Sequence, residues 1–290
     1  MLGRNFGAEA LEQIQRVVLE ARPRTRSEIA RRLCQRLGWV GPGGQPALMS
    51  ARVALLRLHR AGRIQLPAPR NGNGNGRRWS TGVLDLPHQP VEGGLHHLAP
   101  VRVDPVLDPH QSKRWNQLIA EYHYLGHSPL PGAQIRFLVY LGDQPAGAIG
   151  FGAAAWRVSA RDRWIGWSDR QRQSHLHQVL NNARFLILPW FRVPNLASHV
   201  LALCARRLPK DFQARYGWAP MLLESFVEVG RYTGGCYRAA NWLCVGVTRG
   251  RGKKGLHPEP GRTVVPLKEV WLYPLVRDFR RGLCAGSPAL

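Results

Sequence analysis

Apolar residues recur three or four positions apart in the first quarter of the chain, which is the spacing of a buried helix face. The pattern predicts helices over residues 9–21 and 47–61, with a further helix between them that begins at the T-R-S-E segment. Thr25 and Glu28 have the spacing of a capping box at that point. The A-G-R-I-Q-L-P segment after the third helix predicts a turn and a short strand.

The third of these helices carries arginines away from its apolar face. They are Arg52, Arg57 and Arg60. Three helices followed by a short strand are typical of a winged helix-turn-helix, whose recognition helix enters the major groove of DNA. We therefore expect residues 1–67 to be a winged-helix DNA-binding domain that uses these arginines. A solvated arginine face on a small helical bundle, or a winged helix that binds protein, would give the same pattern.

The pattern changes twice after residue 67. Residues 68–99 contain an N-G-N-G-N-G run and a stretch rich in glycine, proline and histidine, which predicts a flexible linker. From residue 100 onward the apolar runs predict a helix over 115–124, strands over 135–141 and 146–153, a strand within 179–190, a helix over 196–208, a strand over 221–227, a short helix over 235–242 and a strand over 243–248. This order predicts a mixed-sheet α/β domain over residues 100–290 with an acetyltransferase-like fold, so the whole chain is α+β or α/β.

The charge of the chain indicates a polyanionic partner. Lys and Arg total 41 against 18 acidic residues, a net charge of +23, and all but five of the cations are arginines. Apolar residues make up 44%, so the chain is globular and not a basic disordered tail. A genome that favours arginine codons explains arginine over lysine, but it does not explain the scarcity of acids. We therefore expect the chain to bind a nucleic-acid backbone, and DNA in particular.

Cysteine usage and hydropathy bear on the cellular compartment. The five cysteines include no CxxC pair, which argues against a disulfide framework and a structural zinc site. No apolar stretch approaches the length that spans a membrane, and the first residues lack the apolar run of a signal peptide. These observations predict a cytoplasmic protein.

Several long motifs carry a resemblance to a known family. They are E-Y-H-Y-L-G at 121–126, R-D-R-W-I-G-W at 161–167, N-N-A-R-F-L-I-L-P-W at 181–190, L-A-S-H at 196–199, L-L-E-S-F-V at 222–227 and C-Y-R-A-A-N-W at 236–242. With these motifs the chain resembles the DruA-like family over nearly its whole length, and Glu228 stands where an Asp is expected in relatives. Members occur in the Druantia anti-phage system and as stand-alone mobile-element transposases. The resemblance therefore implies DNA and either phage defence or DNA mobility.

One set of residues is suited to breaking and joining DNA strands, and the sequence leaves single-stranded and double-stranded substrates both open. Tyr237, in a G-G-C-Y-R turn, is the candidate nucleophile, and Arg238 beside it would bind the scissile phosphate. Glu224 and Glu228 would hold Mg²⁺ or Mn²⁺ or take a proton, and His123 would orient a phosphate or act as general acid. In the alternative, Tyr237 is a core aromatic residue and Glu224 is a buried acid paired with an arginine.

Two further groups extend this hypothesis. His175 and His177 flank one apolar residue, so on a strand they would point to the same side and bind one metal ion, whereas on a helix they would not. Near the end of the chain, four cations alternate with glycines and are expected to contact phosphate: Arg249, Arg251, Lys253 and Lys254.

Other functions remain open at this level. An acetyltransferase needs a Q/R-x-x-G-x-G/A loop whose amides hold the cofactor pyrophosphate. Residues 192–197 read R-V-P-N-L-A, which lacks glycine, and Pro194 removes an amide donor, so the loop argues against acetyl transfer. The alternative to a strand-transfer enzyme is a non-catalytic DNA-recognition subunit of a defence complex that recruits a helicase or nuclease. A second copy of the chain is a further candidate partner.

Overall fold

The computed structural model describes residues 7–20, 25–41, 44–68, 84, 86–249 and 266–286. The chain divides into two units, Met1–Arg78 and Trp79–Leu290, and each is described by itself.

The first unit contains three helices, which are α1 (Ala8–Glu20), α2 (Arg26–Arg36) and α3 (Leu48–Arg60). The Thr25 hydroxyl accepts a hydrogen bond from the Glu28 amide at 3.2 Å, so α2 begins at the predicted cap. The helices enclose a core of apolar side chains that includes Ile14, Ile29 and Leu55. The predicted order of three amphipathic helices is therefore present, with ends shifted by a few residues.

The segment after α3 differs from the prediction. Residues 63–68 form no strand; the Val40–Pro46 bridge is the isolated β-contact of the described part of this unit. The backbone there is held by side chains instead, since Gln15 donates to the Arg63 carbonyl and Arg26 donates to the Pro67 carbonyl. The predicted short strand is wrong for these residues, and the winged helix is not confirmed.

The second unit is built on one large sheet. Its elements are β1 (Val91–Glu92), β2 (Val101–Pro105), α4 (Pro109–Tyr122), β3 (Ile135–Leu141), β4 (Gln144–Ala153), α5 (Ser159–Ile165), α6 (Asp169–His175), β5 (Val179–Ile187), β6 (Phe191–Arg192), α7 (Leu196–Tyr216), β7 (Leu222–Glu228), α8 (Gly235–Ala239), β8 (Leu243–Val247), β9 (Lys268–Pro274) and α9 (Phe279–Leu283). Seven strands follow the order β2-β3-β4-β5-β7-β9-β8, and only β5 and β7 are parallel neighbours. The mixed-sheet α/β class is confirmed.

Helices cover both faces of this sheet because side chains alternate along each strand. On β3, Arg136 lies over the Trp115 ring of α4, while its neighbour Phe137 lies under the Arg207 guanidinium of α7. Trp115 also donates from its indole nitrogen to the Ile149 carbonyl of β4 at 3.2 Å, which fixes α4 on the sheet. The result is a three-layer arrangement around the central strands.

The helix α7 is the longest in the described chain, at 21 residues. One side of α7 packs on the sheet through Val200, Cys204, Leu208 and Phe212. Its other side carries exposed arginines. Among the described helices, α7 included, none combines the length and apolarity that a membrane crossing requires.

The predicted linker is shorter than expected. Leu86 is buried in the core of the second unit, and β1 pairs in parallel with β6 through Val91 and Phe191. Residues 86–99 therefore belong to the second unit. The N-G-N-G-N-G run lies outside the described residues.

Candidate functional site

The two parallel strands in the middle of the sheet separate along their length. β5 and β7 pair only from Val179–Leu222 to Asn181–Glu224. Beyond this point β5 stays on β4 and β7 stays on β9, so the two strands face each other across a gap. Beyond Asn181 and Glu224 the two strands exchange no further backbone pairing, and the Asn182 carbonyl accepts from Ser225 Oγ instead. The gap therefore lies between two strand edges that do not pair with each other.

A cavity of about 360 Å³ occupies this gap. Its wall is largely aromatic and includes Tyr122, Tyr124, Phe185 and Tyr237. The pairing between β4 and β5 shifts by one residue at Ala183, and this bulge lies on the cavity wall. We call this space the strand cleft.

Tyr237 is held rigidly inside the strand cleft. Its hydroxyl donates to Asn182 Oδ1 at 2.8 Å and accepts from Ser225 Oγ at 2.9 Å. Its ring is buried between Trp242 and Trp271, with ring centroids 5.1 and 6.1 Å away. Burial raises the pKa of Tyr237 above its ordinary value, so the phenol keeps its proton at neutral pH.

These contacts do not suit a nucleophile that attacks DNA. Tyr237 is buried, and the exposed Arg238 guanidinium lies over the Trp271 ring. The raised pKa opposes formation of the phenolate that attack on a phosphate requires. The environment of Tyr237 matches the alternative of a buried aromatic residue with a local hydrogen-bond partner.

Glu224 is committed to an ion pair. Its side chain and that of Arg161 are both 0% exposed, and Arg161 donates to Glu224 Oε2 at 2.7 Å. The other carboxylate oxygen accepts the Ala155 amide at 2.8 Å. Both oxygens therefore have partners, which leaves no open site for a metal ion. Glu228 lies four residues further along β7, about 13 Å away at the usual rise per strand residue, so the structure does not bring the two carboxylates together.

His175 and His177 do not lie on a strand. His175 ends α6, and His177 lies in the 3₁₀ turn Leu176–Gln178. His177 packs edge-on against Trp218, and burial lowers its pKa. Within the described ranges, no group of three or more His, Cys, Asp or Glu side chains is placed to hold a metal ion. The expected Mg²⁺ or Mn²⁺ stays a prediction.

His123 lies on the wall of the strand cleft, where α4 ends. Its Nδ1 accepts the Leu125 amide at 3.2 Å. Burial and the positive charges of Arg184 and Arg231 lower the pKa of His123 to about 4. The ring is therefore neutral at pH 7, which argues against the predicted role as a general acid.

The mouth of the strand cleft is cationic and aromatic. The Arg231 guanidinium lies 4.3 Å from the Tyr124 ring centroid and 5.7 Å from that of Tyr232. Arg184 lies nearby and donates to the Gly126 carbonyl and the Ser128 hydroxyl. Sequence reasoning missed these residues, and it missed Asn182 and Ser225 as well. The polar residues Asn181, Asn182 and Arg184 between the apolar ends of β5 were the signal available for Asn182.

The loop between β5 and α7 differs from what its sequence suggested. Asn195 adopts a left-handed backbone with φ of 65°, a conformation that usually requires glycine. The first helical bond runs from the His199 amide to the Asn195 carbonyl, so the amides of Ala197 and Ser198 have no backbone acceptor in the described residues. They lie at the positive end of a 21-residue helix. Asn195 thus supplies the turn that the absent glycine was expected to supply.

The predicted phosphate-contacting tail is only partly described. Arg249 is exposed at the end of its described segment. Arg251, Lys253 and Lys254 lie outside the described residues. On α3, Arg52, Arg57 and Arg60 are all exposed, as expected from the sequence.

Solved structures with similar folds are acetyltransferases. They include the Bacillus subtilis acetyltransferase in complex with CoA (8% identity, 61% of this chain, 100% of that chain, TM-score 0.37) and the Drosophila melanogaster polyamine N-acetyltransferase (11% identity, 60% and 100%, TM-score 0.36). A third is the microcin C7 self-immunity acetyltransferase (8% identity, 49% of this chain, TM-score 0.31), of whose length this chain spans 61%. Similarity at this level concerns the fold alone.

The prediction that the chain breaks and joins DNA strands through Tyr237 is wrong. The geometry of the site lacks what that chemistry requires. Tyr237 is buried with a raised pKa, and Glu224 is neutralised by Arg161. Neither group can serve as the nucleophile or the metal ligand of a strand transferase.

Sequence comparison then places the chain in a family. No curated protein matches the sequence significantly. The family model of Druantia protein DruA matches residues 62–259, which is more than half of the chain and leaves α1, α2 and α3 outside the match. The motifs at 121–126, 181–190 and 222–227 all lie inside this range. On this evidence the chain belongs to the DruA family.

Proposed function

We propose that the second unit binds a pantetheine-type thioester such as acetyl-CoA in the strand cleft and transfers its acyl group to an amine. The observation that carries this proposal is the separation of β5 from β7 after three residue pairs, and the open amides at the start of α7 support it. An extended chain that carries amides can bond the free edge of β5 as an added strand would. A pyrophosphate can bind the helix start.

The residues present fit such a group along its length. The aromatic wall of the strand cleft suits the thin, partly apolar arm, and the bulge at Ala183 opens the β5 edge toward it. The amides of Ala197 and Ser198 would hold the pyrophosphate, helped by the left-handed turn at Asn195. Pro194 contributes no amide, so the loop has one donor fewer than a glycine-containing loop.

The chemistry of the site then follows from its hydrogen bonds and burial. When bound, the thioester would supply an activated acyl group. Tyr237 keeps its proton on the phenol oxygen because burial raises its pKa. As the amine forms its C–N bond and the C–S bond breaks, the phenol would turn its O–H from Asn182 Oδ1 to the leaving sulfur and give it that proton, while the amine loses its own proton to solvent. Asn182 and Ser225 hold the phenol in one orientation. The buried wall excludes water, which limits hydrolysis of a reactive ester.

The test is direct binding of acetyl-CoA to the full chain, measured by calorimetry. Asn195→Val should weaken binding by about tenfold or more, because a β-branched residue is strained at positive φ. Asn195→Gly is the matched control and should bind at least as tightly as the unaltered chain, since glycine adopts this conformation freely. Absence of acetyl-CoA binding by the unaltered chain at millimolar concentration would refute the proposal, and equal losses in both variants would remove the loop from it.

We also propose DNA as a partner of the chain. The supporting observation is the outer face of α3, where Arg52, Arg57 and Arg60 are exposed and have no ion pair in the described part of the chain. At 100° per residue they lie within an arc of about 140°. Unpaired cations on one helix face suit the phosphates that flank a groove. This is also the face that a winged-helix arrangement of the first unit would use.

Salt dependence tests this partner. If about six phosphates are neutralised, log affinity for duplex DNA should fall with log salt at a slope near −5. Replacing Arg52, Arg57 and Arg60 with Ala should bring the slope to about −2, since each phosphate contact contributes close to one unit. The control removes the same charge from the ion-paired Arg16, Arg31 and Arg36. A control that weakens binding as much as the test variant would show that net charge, and not this face, sets affinity.

A further inference from the structure

A second cavity, of about 320 Å³, lies on the α4 side of the sheet. Its wall is formed by Trp115, Asn116, His127, Arg136 and Arg215, together with residues of the loop before β3. It shares no lining residue with the strand cleft. We call it the arginine pocket.

The sheet register brings two arginines to this side of the molecule. Arg136 on β3 lies opposite Gly150 on β4, and Gly150 lies opposite Arg184 on β5. Cross-strand partners point to the same face of the sheet, so both arginine side chains lie on this face. Their Cα atoms are two strand spacings, about 10 Å, apart, and Gly150 between them has no side chain. A Cβ at Gly150 would come within 2.8 Å of the Trp115 ring. The glycine therefore makes room for the indole at the base of the pocket.

Neutral groups hold both arginines. Arg136 donates to Asn116 Oδ1 and to Ser112 Oγ, each at 3.0 Å, and its guanidinium lies 5.3 Å from the Trp115 ring centroid. Arg184 donates to the Gly126 carbonyl and to Ser128 Oγ, in the loop that lines the pocket. These bonds fix the orientation of the guanidinium groups but leave their charge uncompensated.

No acid balances the charge in the described residues. The ion pairs of this unit involve other arginines, and Arg136, Arg184 and Arg215 take part in none of them. The repulsion between these positive charges lowers the pKa values of side chains around the pocket. Burial and the charge of Arg215 lower the pKa of Arg136, while burial and the charges of Arg184 and Arg136 lower the pKa of His127. Like charges held together around a cavity favour an anion inside it.

The donors match one class of anion. A guanidinium carries five N–H groups, and Arg136 spends two of them on its protein partners. The remaining N–H groups can bind two oxygens of one group in the fork geometry that phosphates and carboxylates accept. Arg215, exposed at the rim on α7, can approach the same group from the other side.

We infer that the arginine pocket binds a phosphate group, carried either by a free nucleotide or by a nucleic acid. The inference stands apart from acyl transfer, because the two cavities share no lining residue. It also gives a place for one of the phosphates of a polyanionic partner.

Thermal unfolding of the full chain tests the pocket. Inorganic phosphate at 10 mM should raise the midpoint by about 2–4 °C relative to chloride at matched ionic strength, because a ligand that binds only the folded state stabilises it. Arg215→Gln should lose most of this shift. In chloride it should melt no lower than the unaltered chain, because the change removes repulsion and Arg215 has no ion pair to lose. Arg170→Gln, which removes an exposed arginine of α6 that has no ion pair in the described part of this unit, should keep the full shift.

The outcomes separate the sources of the phosphate and the ways to fail. A shift with AMP but not with a DNA duplex that lacks terminal phosphates identifies a free or terminal phosphate as the ligand. A shift with that duplex, reduced by Arg215→Gln, identifies a phosphate of the nucleic-acid backbone. Both support the pocket. The same unfolding midpoint in phosphate and in chloride overturns the inference, and so does a shift that Arg170→Gln reduces as much as Arg215→Gln does.

Discussion

Glu224→Gln should lower the free energy of unfolding by about 3–5 kcal/mol, the usual cost of breaking a buried ion pair from one side. The change takes from Arg161, which is 0% exposed, its carboxylate partner at 2.7 Å and leaves Asp162 as the remaining partner of that buried charge. Urea unfolding followed by tryptophan fluorescence gives the value. Glu228→Gln on the same strand is the matched control and should change stability by less than about 0.5 kcal/mol.

A double-mutant cycle with Arg161→Gln isolates the pair. The two changes together should lower the free energy of unfolding by about 1–3 kcal/mol less than the sum of the single changes, because Arg161→Gln removes the buried charge that Glu224→Gln deprives of its partner. Asp162 also accepts from Arg161, at 2.8 Å, so the recovery should be incomplete. Strict additivity would show that Glu224 and Arg161 act separately and that the cost has another origin.

Tyr237→Phe should lower kcat for acyl transfer by about 10²–10⁴-fold, the usual loss when a positioned proton donor is removed. Affinity for acetyl-CoA should change little, since the ring and its packing remain. Because the pKa of Tyr237 is raised, its proton stays in place as pH rises through the ordinary phenol value near 10. Loss of this proton should therefore not depress kcat below pH 10.

The matched control for this prediction is Tyr232→Phe, at the exposed mouth of the strand cleft. It should change kcat by less than about threefold, because it removes a hydroxyl that lies outside the buried network. If Tyr237→Phe lowers affinity and leaves kcat unchanged, the hydroxyl has a binding role. If both variants lose kcat equally, proton donation by Tyr237 is wrong while binding in the strand cleft can still hold.

Sequence patterns were sufficient for most of the architecture. The helix α2 begins at the Thr25 cap because a capping box depends only on residues three positions apart. The strands β3 and β4 appear close to their predicted bounds because their apolar runs are long and a short turn joins them. The alternative of a buried Glu224 paired with an arginine was also correct. The partner, Arg161, is 63 residues away, a separation that local spacing cannot identify.

The failures arose where tertiary context overrides local pattern. Residues 64–66 read as a strand because Ile64 and Leu66 alternate, but both side chains pack into the helical core. His175 and His177 read as a possible strand pair, whereas the 3₁₀ turn Leu176–Gln178 makes the segment helical. The loop at 192–197 lacked glycine, and the left-handed state of Asn195 is a property of the folded turn.

The short parallel contact between β5 and β7 also determines how the sheet can deform. Each of these strands is joined to its antiparallel neighbour by seven residue pairs, but they are joined to each other by three. The sheet therefore has two halves, β2-β3-β4-β5 and β7-β9-β8, and the three β5–β7 residue pairs form a narrow hinge between them. Glu224, which is ion-paired with Arg161, is the last residue of that hinge, where the two halves separate. A change in the width of the strand cleft therefore requires a small rotation of one half of the sheet about this hinge and leaves the hydrogen bonds within each half intact.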